Sequence, residues 1–417
     1  MTKPLEPPKK KNPLKRTRVP VSPPGMRSRA TTALAVAAAE GRFALQHCAD
    51  CRSVQYPPRD LCRNCLSAAL DWQDSDPAGA VIAETTIRAT PDTHFRDLLP
   101  IRIGTVQLDA GPSIIARLHG DVARGDRTRL SNRIDAAGQA ILIALPMTEE
   151  PNMRDDPTLR ELSTDPKHRR VLIVDGRAPE APALAQALLN AGASHVFVGV
   201  AQTWKPFPQR DKFAAMENCG LVDLDVTDAD SVQDLAAEIG GKVDILIDNS
   251  RFTRPGGVIH RPDTIFARQE LENGVLGMIR LAQTFGAAMA SRGEDGVNSA
   301  VAWVTVHPIG ALVPHASHAM TSASGAATLA LSHALRAEMR GSGVRVVNVY
   351  AGPVDDEWHQ ELPPPKLAPK ALAQAVVKAL VDGVEEATAG EVARDLYARW
   401  RDNPALAIRE ALGGTTL

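Results

Sequence analysis

The sequence predicts a doubly wound parallel α/β domain preceded by a cysteine-bound metal module and a small β-barrel. Three observations predict it. From Arg169 onward, apolar strand-like runs alternate with helical stretches, which argues for a parallel sheet covered on both faces. Between Gly79 and Leu145, short apolar runs separated by turn signals argue for a small barrel. Ahead of both, Cys48-Ala-Asp-Cys51 and Cys62-Arg-Asn-Cys65 form the pattern C-x2-C-x10-C-x2-C.

Composition bounds the function classes. The 417 residues leave room for two or three domains. Apolar residues at 44% and charged residues at 23% are ordinary for a folded, water-soluble protein. A net charge of −2 gives no overall attraction to nucleic acid or to a membrane. No apolar run approaches the roughly 18 residues of a membrane span. The N-terminal lysines are not followed by an apolar core, so no secretory signal is read there. A cytoplasmic protein is the expectation. Four of the five cysteines are clustered, which points to metal rather than disulfides.

Residues 1–30 are rich in Pro, Lys and Arg, with Glu6 the only acid. They bury too little apolar area to offset the entropy of ordering, so a disordered basic tail is expected. Residues 31–66 are expected to hold an Ala-rich helix over 31–46 and then the knuckles. Two knuckles can bring four thiolates into a tetrahedron around Zn²⁺, and four protein ligands leave no open position. Cys48, Cys51, Cys62 and Cys65 are therefore expected to hold a structural zinc, with iron as the competing metal. Cys219 stands alone and reads as an ordinary buried thiol. Residues 67–147 carry the barrel, with strands over 79–87, 101–108, 113–119 and 140–145 and a turn at Asp109–Pro112. Residues 148–168 are polar and broken by prolines, and read as a linker.

The two knuckles, Tyr56-Pro-Pro-Arg59 between them, Trp72 and Leu108-Asp-Ala-Gly-Pro112 together resemble a known family. Its members carry a rubredoxin-like zinc ribbon followed by an OB-fold, and accompany thiolases and thiolase-like aldolases in acyl-CoA metabolism. The likeness covers about residues 31–147. Arg52 and Leu66 stand where many members have Gly, and Arg63 where Pro is common, departures that touch turns and not ligands. The resemblance implies an accessory role, a thiolase-like or aldolase catalytic subunit as partner, and a CoA thioester as ligand. An OB-fold can also hold single-stranded nucleic acid, but that use wants a basic groove with stacking aromatics. Phe95 and Trp72 are the main aromatics here, so no nucleic-acid partner is expected.

The α/β domain, residues 169–389, is expected to place strands over 169–175, 195–201, 220–226, 243–249, 301–306 and 344–350. Helices are expected over 181–191, 231–239 and 321–339. Residues 301–354 resemble the back half of a short-chain dehydrogenase/reductase with a Rossmann fold. That family ends a strand in Ser, carries Tyr-x-x-x-Lys on the next helix and follows with a strand ending in Ala-Gly-Pro. Here Ala351-Gly-Pro353 is present, but Ser-Ala-Ser-Gly-Ala-Ala replaces Ser-Ala-Ser-Lys-Ala-Ala. The Lys position is then Gly325, the Tyr position Thr321, and the Ser position His307 or Pro308. Family chemistry needs a phenol acidified by a neighbouring ammonium, and neither Thr321 nor Gly325 supplies it. None of the tyrosines, Tyr56, Tyr350 and Tyr397, is followed by Lys four residues on. One member of the tetrad is retained, Asn273, whose plain alternative is a helix-kink residue.

The family's Thr-Gly-x3-Gly-x-Gly phosphate loop becomes Asp175-Gly-Arg-Ala-Pro-Glu-Ala-Pro182. Gly176 survives, while Pro179 and Pro182 remove amide donors and Asp175 and Glu180 add negative charge. Asp225-Val226 matches the adenine-side pair, and Asn249 lies in the altered Asn-Asn-Ala-Gly motif. These four residues, Gly176, Asp225, Val226 and Asn249, are the candidate cofactor contacts, yet NAD(P) binding is not expected. Arg177 and Arg251 could meet a phosphate of CoA. Residues 390–417 read as an amphipathic helix containing Trp400, covering either a subunit interface or its own domain. The sequence thus predicts a non-catalytic accessory subunit, in an oligomer with a thiolase-like or aldolase subunit or with an active dehydrogenase. The rival is a working NAD(P)-dependent oxidoreductase on a ketone or β-hydroxyacyl-CoA, with His307 or His318 as a relocated acid.

Overall fold

The computed structural model describes residues 2–8, 21, 23–25, 28–259, 261–292 and 300–413. The basic tail expected over 1–30 lies mostly outside the described residues. The chain divides into two compact units. Val21–Thr164 forms the body of the first, and Asp165–Val381 with Glu385–Leu417 that of the second.

In the first unit, helix Thr32–Ala39 stops at Gly41, whose φ of +69° is the left-handed conformation that glycine favours. The helix is shorter than the expected 31–46, because Ala44–Cys48 (β1) leaves it to join a sheet. It pairs antiparallel with Val54–Gln55 (β2) on one side and Leu70–Asp74 (β3) on the other. Gln46 thereby sits between Gln55 and Trp72. The barrel follows: Ala78–Ile87 (β4), Ile101–Leu108 (β5), Ser113–Leu118 (β6), Arg127–Ile134 (β7) and Ala140–Pro146 (β8). It closes in the order β4-β5-β6-β8-β7, with β6 and β8 parallel and the other pairs antiparallel. That is the OB-fold topology, and Val81, Val106, Leu108, Ile114 and Leu142 fill it.

β7 is not among the predicted strands. Its outward positions are Arg and Ser, and only Thr128, Leu130, Asn132 and Ile134 face inward, so the apolar signal is thin although the period is two. The segment 148–168 is also not a free linker, because most of it packs on the barrel. Asp156 caps helix Pro157–Glu161 and accepts from Gly120 N at 2.9 Å. His119 Nε2 lies 2.9 Å from the Met153 carbonyl, and Arg117 meets Glu161 at 2.6 Å. Hydrogen bonding pays for burying these polar groups, which a composition reading takes as solvated.

The second unit holds seven parallel strands: Arg170–Ile173 (β9), His195–Val200 (β10), Cys219–Asp223 (β11), Ile245–Asp248 (β12), Ala302–Pro308 (β13), Arg345–Ala351 (β14) and Glu386–Ala389 (β15). Their order is β11-β10-β9-β12-β13-β14-β15. The order reverses between β9 and β12, which puts the ligand crevice of this doubly wound Rossmann sheet at their carboxyl ends. Helix Ala319–Met339 crosses from β13 to β14. The helical run from Ile265 to Ser291 contains two π-bulges, Glu272–Leu276 and Ala282–Gly286. The C-terminal stretch is two helices rather than one, Glu391–Asp402 and Pro404–Gly413, since Pro404 cannot continue the first. Trp400 and Tyr397 pack with Ile309, Leu329 and Tyr350 of the same unit. No helix among the described residues is long and apolar enough to cross a membrane.

Candidate functional site

The knuckle sulfurs all lie within 4.8 Å of one another. The Cys48–Cys65 and Cys51–Cys62 sulfur pairs are each 3.6 Å apart. A tetrahedron of zinc–thiolate bonds of about 2.3 Å has edges of about 3.8 Å, so the set fits. The two knuckles are the same turn. Arg52 N donates to the Cys48 carbonyl and Leu66 N to the Cys62 carbonyl, both at 2.9 Å. Arg52 and Leu66 adopt φ of +60° and +62°, which is the reason glycine suits those positions. Ser53 Oγ lies 3.0 Å from Cys51 Sγ and 3.3 Å from Cys62 Sγ, and its hydrogen bond holds the Cys51 thiol down to about 5. Cys48, Cys51, Cys62 and Cys65 would hold the ion in a closed site that contributes folding energy.

At the Rossmann crevice the four candidate cofactor contacts are engaged by the protein itself. A Cβ on Gly176 would meet Val198 Cγ1 at 2.5 Å, and Gly176 N donates to the Gly199 carbonyl at 2.7 Å. This glycine is needed for the close approach of the β9 end to β10. Asn249 ties the β9 and β12 ends together: its Oδ1 accepts from Asp175 N and its Nδ2 donates to the Asp175 carbonyl, both at 2.9 Å. Asp225 Oδ1 accepts from Thr227 N at 2.9 Å and Thr227 Oγ1 at 2.6 Å, stabilising its own turn. Val226 is in the core, and its carbonyl accepts from Arg280.

The two arginines expected to meet phosphate are also engaged. Arg177 donates to the Ala201 carbonyl at 3.0 Å and lies over the Phe207 ring. Arg251 makes a two-pronged ion pair with Glu180, at 2.8 and 2.9 Å. Glu180 is 0% exposed and is the N-cap of helix Ala181–Asn190, but its side chain caps no helix amide. Burial pulls the Arg251 guanidinium down, and Glu180 together with Asp356 and Asp175 more than restores it, leaving it above its ordinary value.

At the catalytic end, His307 is 1% exposed, with Nδ1 3.3 Å from Thr328 Oγ1 and Nε2 3.1 Å from Asn348 Oδ1. Burial pulls it down to about 4. The imidazole is thus held neutral, with protein partners on both nitrogens. Pro308 packs on the crossover helix, where a Cβ on Gly325 would meet its Cγ at 2.9 Å. Thr321 is 8% exposed, and its Oγ1 is buried without a hydrogen-bond partner. His318 is held from two sides: Nε2 lies 3.0 Å from the Trp358 carbonyl, and the ring stacks on His359 at 5.3 Å. His359 Nδ1 in turn meets Asp356 Oδ1 at 2.6 Å. Asn273 sits in the first π-bulge and donates to the Gln269 carbonyl of its own helix at 3.1 Å, as a kink residue would.

A family model described as Enoyl-(Acyl carrier protein) reductase matches residues 181–393, half of the chain. The chain belongs to this short-chain reductase family. Models described as "ChsH2, rubredoxin-like zinc ribbon domain" and "ChsH2, C-terminal OB-fold domain" match residues 35–71 and 72–133. The fusion read from the sequence is therefore real: a ChsH2-type ribbon and OB-fold joined to a short-chain reductase domain. Probable oxidoreductase EphD of Mycobacterium tuberculosis is 30% identical over 135 residues, 32% of this chain. The match spans only 22% of that relative's length. Short-chain dehydrogenase ptmH of Penicillium ochrochloron is 29% identical over 214 residues, covering 47% of this chain and 71% of the relative. Among solved structures, a short-chain dehydrogenase from Burkholderia cenocepacia J2315 in complex with NADP is similar. It has 27% identity and a TM-score of 0.52, over 58% of this chain and 97% of that one.

Two features of this reductase domain escaped sequence reasoning: the Glu180–Arg251 pair and the His318–His359–Asp356 stack. Glu180 and Arg251 lie 71 residues apart in sequence and follow the ends of β9 and β12, which are adjacent in the sheet. Only the strand order makes the pair legible.

The crevice also carries a testable charge. Burial pushes the Asp248 carboxyl up to about 6, and its Oδ1 accepts from Ser250 N and Oγ. Its folded pKa is above the unfolded value of about 3.9. Its stabilising contribution is thus complete below that unfolded value and is lost as pH rises through about 6. Asp248→Asn keeps the acceptor and removes the charge. The variant is expected to exceed wild-type stability by on the order of 2 kcal/mol at about pH 8, and by little at about pH 4. Denaturant titrations at the two pH values check this, and an equal gap at both would rule out charge as the cause.

Proposed function

We propose that this chain is a non-catalytic accessory subunit in acyl-CoA metabolism, joining a thiolase-like or aldolase enzyme through its ribbon and OB-fold. The observation that carries the reading is the packing of Pro308 on Gly325 beside a buried Thr321. The positions that resemble the family's Ser, Lys and Tyr hold His307 or Pro308, Gly325 and Thr321. Neither Gly325 nor Thr321 can pass a proton to a substrate oxygen near neutral pH. The crevice gives the same support. Pro179 and Pro182 offer a phosphate no amide, and the N-cap presents a buried carboxylate. These residues do not fit a dinucleotide diphosphate. The ChsH2-type match supports the acyl-CoA side of the reading.

The rival reading, a working reductase, draws on the Burkholderia relative, which is complexed with NADP. Assays of the purified chain with NADH or NADPH and a β-ketoacyl-CoA separate the two. No turnover is expected, since loss of a general acid alone costs on the order of 10²–10⁴-fold. Thr321→Tyr with Gly325→Lys should not restore it, and should destabilise the domain by about 1–3 kcal/mol as the new side chain meets Pro308. Turnover by the wild-type chain would refute the accessory reading. Restored turnover in the double variant would show instead that the crevice accepts the cofactor despite Pro179 and Pro182. Co-purification with a thiolase-like protein through residues 31–147 tests the partner.

A further inference from the structure

The Glu180–Arg251 pair sits where a Rossmann sheet ordinarily receives an anion. In such sheets, a diphosphate lies at the N-terminus of the helix that follows the first strand, across the switch point. Here that helix is Ala181–Asn190, the first strand is β9, and Glu180 is the N-cap. The Glu180 carboxylate is fully buried and spends both oxygens on Arg251, which comes from the end of β12, the other wall of the crevice. The carboxylate thus bridges the two walls as a bound anion would. Its negative charge also lies at the positive end of the helix dipole, although it bonds no helix amide.

We propose that Glu180 acts as an internal anion that occupies the diphosphate position of the crevice, so that one side chain, rather than the fold, excludes phosphate-bearing ligands. The inference rests on the non-catalytic reading above and extends it to the residue responsible. Other charged groups face Arg251 as well. Asp175 lies at the end of β9 and Asp356 in the loop after β14, and both add negative charge near it. Asp248 lies at the end of β12 itself. Among the described residues none of these hydrogen-bonds the guanidinium, whereas Glu180 does so twice. Removing Glu180 therefore frees the two Arg251 nitrogens it engages.

The test is calorimetric titration of full-length wild type, Glu180→Gly and Glu180→Gln with inorganic pyrophosphate, and separately with NADPH. Pyrophosphate is expected to bind Glu180→Gly about tenfold or more tighter than wild type, equivalent to about 1.4 kcal/mol. Glu180→Gln keeps the volume and loses the charge, and should fall between. If Glu180→Gly does not fold, Glu180→Gln decides alone. If neither folded variant binds pyrophosphate better than wild type, while wild type still rejects NADPH, this inference fails and the non-catalytic reading stands. If wild type binds NADPH at micromolar concentration or tighter, this inference fails, because the crevice then accepts a diphosphate with Glu180 in place, while the non-catalytic reading is decided separately by the turnover assay.

Discussion

Cys62→Ala is expected to strip the chain of zinc and unfold the ribbon. Cys62 is 0% exposed, and its sulfur is one corner of the tetrahedral set. The ribbon has little else to hold it. Its sheet consists of strands of five, two and five residues, too small to fold on apolar burial alone. In peptides with comparable sites, zinc contributes about 10–16 kcal/mol of apparent folding free energy, and three remaining thiolates retain only part of it. The damage should spread, because Leu45 of β1 belongs to the core cluster shared with the barrel. Elemental analysis and amide exchange over residues 44–74 read the two effects. Cys219→Ala is the control. That thiol is outside the cluster, and its removal should leave the metal content unchanged. Full zinc occupancy and wild-type protection in Cys62→Ala would refute the structural role.

How much of this was legible in the sequence differs by physical origin. The zinc site was fully legible, since ligand identity and spacing are local. Strand β13 could be read as an apolar run because nearly all of it is buried, and β5 because Ile101, Ile103, Val106 and Leu108 keep its alternate apolar positions clear. β7 could not, because its alternate positions are arginines that reach solvent. The absence of Tyr-x-x-x-Lys was legible in the sequence, but the packing at that place was not: that Pro308 and Gly325 lie side by side depends on how the crossover helix lies on β13. The phosphate loop shows the same limit. Glu180 reads as a charge repelling phosphate and Arg251 as a charge attracting it. Only the adjacency of β9 and β12 turns the two into a mutual pair.

That pair sets the second large effect. Arg251→Met is expected to cost about 3–5 kcal/mol, because it leaves the Glu180 carboxylate buried without a counter-charge. The asymmetry of exposure sharpens the expectation. The Glu180 side chain is 1% exposed and the Arg251 side chain 22%. A stranded Arg251 can turn part of its guanidinium to water, whereas a stranded Glu180 has no such route. Glu180→Gln should therefore cost less than Arg251→Met, and the double variant should recover most of the loss, since it buries no charge. A double-mutant cycle in denaturant supplies all the values. If the two single losses simply add in the double variant, the residues do not act as a pair. The energetics would then argue against Glu180 as an anion held by Arg251. If the double variant recovers, the two walls of the crevice are joined by an interaction whose strength depends on both partners.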